Sequence, residues 1–222
     1  MKAPPADASL PPPRATYRHG DLRRALLEAG VELARHGGPD AVVLREATRR
    51  AGVVPNAAYR HFASRGALLE AVRAEAVARM ARAMEAELAV DAPAKGGGKG
   101  DAVDAARAAV RAVGAGYLRF AREETGLFRT AFADLAPVEG DADPAKAGGS
   151  GLNPFQLLGA ALDQLVQAGV MPPERRPGAE YLAWSTVHGL AMLTIAGPLR
   201  GLAGAEIEAL GQRLLEMVER GL

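Results

Sequence analysis

The feature that most limits what this chain can fold into lies in LREATRRAGVVPNAAYRHFASRGALLEAV, residues 44–72. A helical pattern meets Gly52, restarts at Pro55, and stops again near Phe62 after barely two turns. Glycine past a helix end stops it, because glycine alone enters the left-handed region without a Cβ penalty. Proline suits the first helical turn, where its missing N–H had no partner to lose. The spacing therefore predicts a short helix at about 44–51, a tight turn, and a second short helix from Pro55 to about His61. Such a pair, joined by a glycine turn, is the arrangement of a helix-turn-helix reader.

The flanks extend the pattern. Leu22, Leu26, Ala29 and Leu33 recur at helical spacing and predict a first helix at about 18–36, ended by Gly37, Gly38 and Pro39. Ser64 is a good N-cap for a long helix at about 65–90, with Leu68, Leu69, Val72, Ala76, Met80 and Leu88 as its apolar stripe. The glycine-rich run at 91–101 reads as a joint. Further helices are expected at about 101–122, 124–134, 152–168, 178–197 and 203–220, with a loop at 136–151. No hairpin signal and no internal repeat are seen. The expectation is an all-α chain of about nine helices, with residues 1–16 as a disordered Pro/Ala-rich tail.

Composition bounds the function. The chain has 222 residues, 49% of them hydrophobic and 24% charged, so it can bury a core. It has 0 cysteines, which removes disulfides, thiol catalysis and cysteine metal sites and fits a cytoplasmic location. No apolar run approaches the roughly 20 residues of a membrane span, and the start lacks the apolar core of a secretory signal. Net charge is only +1, but it is unevenly spread: 11 Lys/Arg stand against 6 Asp/Glu up to residue 66, and 16 against 20 after it. A basic head on an acidic body suggests a polyanion partner for the head.

The residues in 44–72 then take roles. The N-terminal end of the second short helix can enter a DNA major groove while the preceding helix crosses the backbone. Pro55, Asn56, Ala57 and Ala58 open that helix; Asn56 can pair with an adenine edge and the alanines can touch thymine methyls. Tyr59, Arg60, His61, Arg45 and Arg65 are candidates for phosphate contact, and Arg18 for an N-terminal arm. Phe62 is expected to anchor the helix end.

These residues resemble the tetracycline-repressor (TetR) family of transcriptional regulators. The likeness is carried by Ala51-Gly52-Val53, Tyr59-x-x-Phe62, Arg65 and the paired Leu68 and Leu69, and it covers about 17–72. Two positions depart from the pattern. A small hydroxyl residue usually stands where this chain has Val54, and a threonine often stands at Val43; both often cap helices or touch phosphate. AWSTVHGLAML (183–193) is similar to the Trp-x-x-x-His-Gly signature of one C-terminal class. The resemblance implies a helix-turn-helix DNA-binding domain at 17–66 and a ligand-binding and dimerisation domain at 67–222. It implies a homodimeric, ligand-responsive repressor on a palindromic double-stranded DNA operator, with no membrane attachment.

In the body, Trp184, His188 and Met192 fall one turn apart on one face. With Tyr117, Phe128, Phe132 and Phe155 they are candidates to line a pocket for a small hydrophobic or aromatic effector, or else to form core. His188 alone can also be a buried, satisfied residue or an interface contact. Leu193, Ile207, Leu210, Leu214 and Met217 are candidates for a dimer interface. No cofactor, metal site or catalytic residue is expected. An enzyme fits poorly, since Ser185 and His188 share a helix without an orienting acid. A dimeric small-molecule binder that has lost its operator is the third reading.

Overall fold

The computed structural model describes residues 19–90, 99–133 and 143–221. The tail at 1–16, Arg18, and parts of the joint at 91–101 and the loop at 136–151 lie outside the described residues. Among those described there are nine α-helices and no strand: α1 (His19–Gly37), α2 (Leu44–Arg50), α3 (Pro55–Tyr59), α4 (Arg65–Val90), α5 (Lys99–Glu123), α6 (Thr125–Ala131), α7 (Pro154–Gln167), α8 (Ala179–Ile195) and α9 (Gly204–Gly221). Three 3-10 turns, Pro39–Ala41, Pro144–Lys146 and Pro173–Arg175, fall outside the sequence expectation. Each opens on proline, whose fixed φ starts a turn that three residues cannot announce by periodicity.

The head is α1, α2 and α3 packed on the first turns of α4. Leu22, Leu26, Val31 and Leu33 of α1 meet Leu44, Ala47, Ala58, Phe62, Leu68 and Val72 in one buried cluster. Gly30 is needed there: a Cβ would lie 2.8 Å from Cγ2 of Val72. Ser64 Oγ accepts the Ala67 N–H at 3.1 Å, the cap expected for α4.

α4 has 26 residues, about 39 Å of helix, and is common to both regions. Its first turns hold the head, and its remainder lies against α5, α6 and α7. Gly116 lets α5 come close, since a Cβ would sit 2.5 Å from the Met84 Cα. α6 is the second link. Its Gly126 presses on the end of α1, where a Cβ would meet the Ala34 and Arg35 carbonyl oxygens at 2.2 Å. Nearby, Arg35 Nε donates to Glu124 at 2.7 Å. Head and body therefore join through two helices rather than through a free linker.

In the body, α5 lies between α4, α7, α8 and α9. α7 starts in a capping box: Asn153 accepts from Gln156 N at 2.9 Å, and Gln156 accepts from Asn153 N at 2.9 Å. The segment before it crosses α4 and is held there by Glu85. That carboxylate accepts the N–H groups of Gly149 and Ser150 at 2.8 Å each and the Ser150 hydroxyl at 2.6 Å. Burial works against the Glu85 charge, but these hydrogen bonds outweigh it and hold the carboxyl below its ordinary value.

Candidate functional site

Two sites are built on opposite ends of α4. In the head, α2 ends at Ala51 and the chain turns through Gly52 at φ 67, with Val53 N donating to Thr48 O at 3.2 Å. Thr48 fills the corner from inside, its hydroxyl donating to Leu44 O at 2.6 Å. Val54 is extended, and Pro55 begins α3. Phe62 is buried and Phe62 N closes onto Ala58 O at 3.0 Å. The Arg23 guanidinium carbon lies 5.3 Å from the Phe62 ring centroid, which ties α1 to the end of α3.

This packing fixes what α3 shows to solvent. Asn56, Tyr59 and Arg60 are exposed, Tyr59 by 58%, and Arg45 is exposed on α2. Ala57 and His61 are half-buried. Ala58 corrects the expectation. It is 0% exposed, turned into the core against Phe62 and α1, so a base cannot reach it. Arg65 also differs from a simple phosphate ligand. Its guanidinium donates to Val42 O at 2.8 Å and Pro39 O at 2.9 Å and so braces the entry to α2, while the side chain stays at the surface. The Pro55 side chain and Arg18 lie outside the described residues.

Other arginines of α2 are neutralised locally. Arg49 and then Arg50 hydrogen-bond Glu46 and hold its carboxyl down at about 2. The two departures from the family pattern have a structural consequence. Val43 and Val54 stand at the N-caps of α2 and α3, and neither makes a side-chain cap hydrogen bond. Val54 is 68% exposed.

The second site is a cavity between α4, α5, α7, α8 and α9. Of the residues expected to line it, Tyr117, Phe132, Phe155 and Trp184 do. Phe128, His188 and Met192 do not. Phe128 is fully buried behind the wall, edge-on to Tyr117 at 5.5 Å and 85°. Met192 is 39% exposed on the outside of α8. His188 also stands behind the wall, its Nδ1 2.8 Å from the Tyr117 hydroxyl.

Trp184 Nε1 donates to that same hydroxyl at 3.2 Å. An indole N–H can only donate, so the Tyr117 oxygen accepts from it, and the 2.8 Å contact with His188 Nδ1 is a hydrogen bond whose direction the imidazole tautomer sets. Burial lowers the His188 pKa and so favours the neutral ring. Burial likewise pushes the Tyr117 phenol up and keeps it protonated. Ser185 takes no part, because its hydroxyl donates to Leu182 O at 3.1 Å. The Ser185–His188 pair weighed as a nucleophile and base is therefore not assembled.

Several lining residues were not expected at a site: Val77, Met80, Met84 and Val113, which read as ordinary core, and Arg73, Lys146 and Asn153. A single arginine in the charged run of α4 carries no sign that it faces inward.

Beyond the cavity, α8 and α9 keep apolar side chains in solvent. Leu193, Leu210 and Met217 are exposed, and Ile207 and Leu214 are half-buried. Tyr181 and Leu182 join them, Leu182 at 65%. Among the described residues no helix is long and apolar enough to cross a membrane.

The architecture is that of an all-helical regulator: a helix-turn-helix head carried by a larger helical body. Comparison with known families gives the same answer for both parts. Residues 26–72 match "Bacterial regulatory proteins, tetR family", and residues 110–218 match "Tetracyclin repressor-like, C-terminal domain". The chain belongs to the TetR family of transcriptional regulators. Among solved structures it is similar to a protein of unknown function from Rhodococcus sp. RHA1, with 27% identity, a TM-score of 0.72, and coverage of 94% of this chain and 99% of that one. It also shares its fold with PfmR, a TetR family transcriptional regulator from Thermus thermophilus, at 20% identity and TM-score 0.53 over 89% of this chain and 98% of that one. No curated protein matches the chain.

Proposed function

We propose that this protein is a cytoplasmic, homodimeric repressor that holds a palindromic operator through residues 17–66 and releases it when a small molecule enters the cavity of residues 67–222. The observation that carries the reading is α4. One continuous helix packs the head with Leu68 and Val72 and lines the cavity with Arg73, Val77, Met80 and Met84. A ligand that prefers one position of α4 shifts the head by that preference and no more. The protein's work is binding rather than catalysis.

The surface of the head supports the operator reading. Asn56 is offered to base edges, and Tyr59, Arg60, His61 and Arg45 to phosphates, with Ala57 at the margin. Arg65 acts mainly by positioning α2. The exposed apolar row on α8 and α9 supports a second copy as partner, with Leu193, Ile207, Leu210, Leu214 and Met217 buried between the copies. Twofold symmetry would set the two α3 helices roughly 34–36 Å apart, one turn of DNA.

The test is a DNase footprint on the DNA upstream of the protein's own gene. The expected result is protection of two inverted half-sites one helical turn apart, relieved by an effector. Protection of a single unsymmetrical site would contradict the dimeric reader. The uncapped starts of α2 and α3 favour one other reading, a dimeric small-molecule binder whose head no longer holds DNA. No protection at any upstream sequence, with salt-insensitive affinity, would favour it.

A further inference from the structure

The cavity wall is apolar and aromatic, yet two of its lining residues are cations, Arg73 and Lys146, and no carboxylate is among the lining residues described. Arg73 is the less expected of the two. Its side chain is only 12% exposed and its Nε is out of solvent. A guanidinium stays charged in a protein and offers five donors. Glu70, which accepts from Arg73 Nη1 at 3.0 Å, is itself 57% exposed and stands on the solvent side. Arg73 thus brings charge-assisted donors to a poorly solvated wall, where a hydrogen bond to an anion is stronger than in water.

The other prominent polar group at the wall is already satisfied. The Tyr117 hydroxyl accepts from Trp184 and shares a second hydrogen bond with His188 Nδ1. Arg73 and Lys146 carry the only charge among the described lining residues, so an anionic group on a guest meets its electrostatic counterpart there, while rings and methionines receive the rest. We propose that the cavity takes a small organic anion with an apolar, ring-containing body, its carboxylate held by Arg73 and Lys146.

The proposal rests on the reading of this cavity as the effector site, and it adds a route to the head. A carboxylate at Arg73 competes with Glu70 for the guanidinium, one residue from Val72, which packs against Gly30 of α1. The anion then acts on α4 at the point where the head is seated.

The test uses three probes of nearly one shape: 2-naphthoate, 2-naphthalenemethanol and 2-naphthylmethylammonium. Each is titrated calorimetrically into the full-length protein, and quenching of Trp184, the single tryptophan of the chain, reports binding at the wall. Naphthoate should bind about tenfold or more tighter than the alcohol, with the ammonium weakest. Arg73→Met and Lys146→Met, which keep the apolar stems, should each shrink that preference. Arg73→Lys should retain part of it, which separates lost charge from lost packing. Equal binding of naphthoate and alcohol with Trp184 quenched would overturn the anion while sparing the effector cavity. A preference for naphthoate that survives in the double variant Arg73→Met/Lys146→Met would also overturn it. Absence of heat and of quenching with all three probes would overturn both.

Discussion

The head and the body use the same residue types for opposite ends. In the head, aromatic Tyr59 stands in solvent and arginines lie on the surface or brace backbone carbonyls. In the body, Tyr117 and Phe128 are buried and Arg73 is drawn to a cavity wall. On α3 the head exposes Asn56, Tyr59 and Arg60, whereas α8 and α9 expose Leu182, Leu193, Leu210 and Met217 among their polar residues. On the proposed reading, the face of α3, which a small core holds rigid, meets a charged polymer. An apolar face left in water is made to be covered, because contiguous apolar surface is costly to expose.

This contrast can be broken in several ways, the largest first. Phe128→Ala removes a fully buried ring that supports the cavity wall. It should cost about 3–5 kcal/mol of stability, read by chemical denaturation, and should weaken effector binding as well. A loss below about 1 kcal/mol would mean the aromatic cluster is loosely packed. Tyr59→Ala and Asn56→Ala should do the reverse. With their side chains in solvent, they should leave the denaturation midpoint nearly unchanged yet lower operator affinity by about 1–3 kcal/mol for a base or phosphate contact. If either variant unfolds instead, the head is less independent of its surface than its packing implies.

The pair Leu210→Asp and Met217→Asp should shift the protein from dimer to monomer in analytical ultracentrifugation while helicity is kept. A dimer that survives both would move the interface elsewhere. Val54→Ser supplies the side-chain cap that α3 lacks, and should stabilise the head by about 1 kcal/mol and tighten DNA binding. The smallest effect concerns His188. Its folded pKa lies below the ordinary 6.5 because burial disfavours the charged ring. The unfolded chain then binds the proton more readily, so stability should decline as pH falls through and below 6.5. His188→Gln should flatten that stretch of the pH profile.

Much of the helical order was legible in the sequence, because glycine and proline mark most helix ends. Gly52 and Pro55 bound the turn between α2 and α3, and Gly37 with Gly38 and Pro39 ends α1. What escaped were phases rather than elements. Helix α3 is a five-residue helix, too short for a period, so nothing distinguished buried Ala58 from half-exposed Ala57. Helix α8 is apolar on nearly all sides, so Met192 could be assigned to the cavity when it faces outward. Arg73 and Lys146 were missed for a third reason. A charge on an amphipathic helix or in a loop reads as surface, and only the packing of α4 against the segment before α7 turns these two inward.

The central claim is that the head reads DNA through the surface described. The most direct measurement is fluorescence anisotropy of the purified protein on its upstream DNA across a salt series, beside a random duplex and the variants Arg45→Gln and Arg60→Gln. The expected result is specific binding with a steep salt slope, each variant lowering the slope by about one for the phosphate contact removed. Weak binding equal for both duplexes, with a slope that neither variant changes, would contradict the claim.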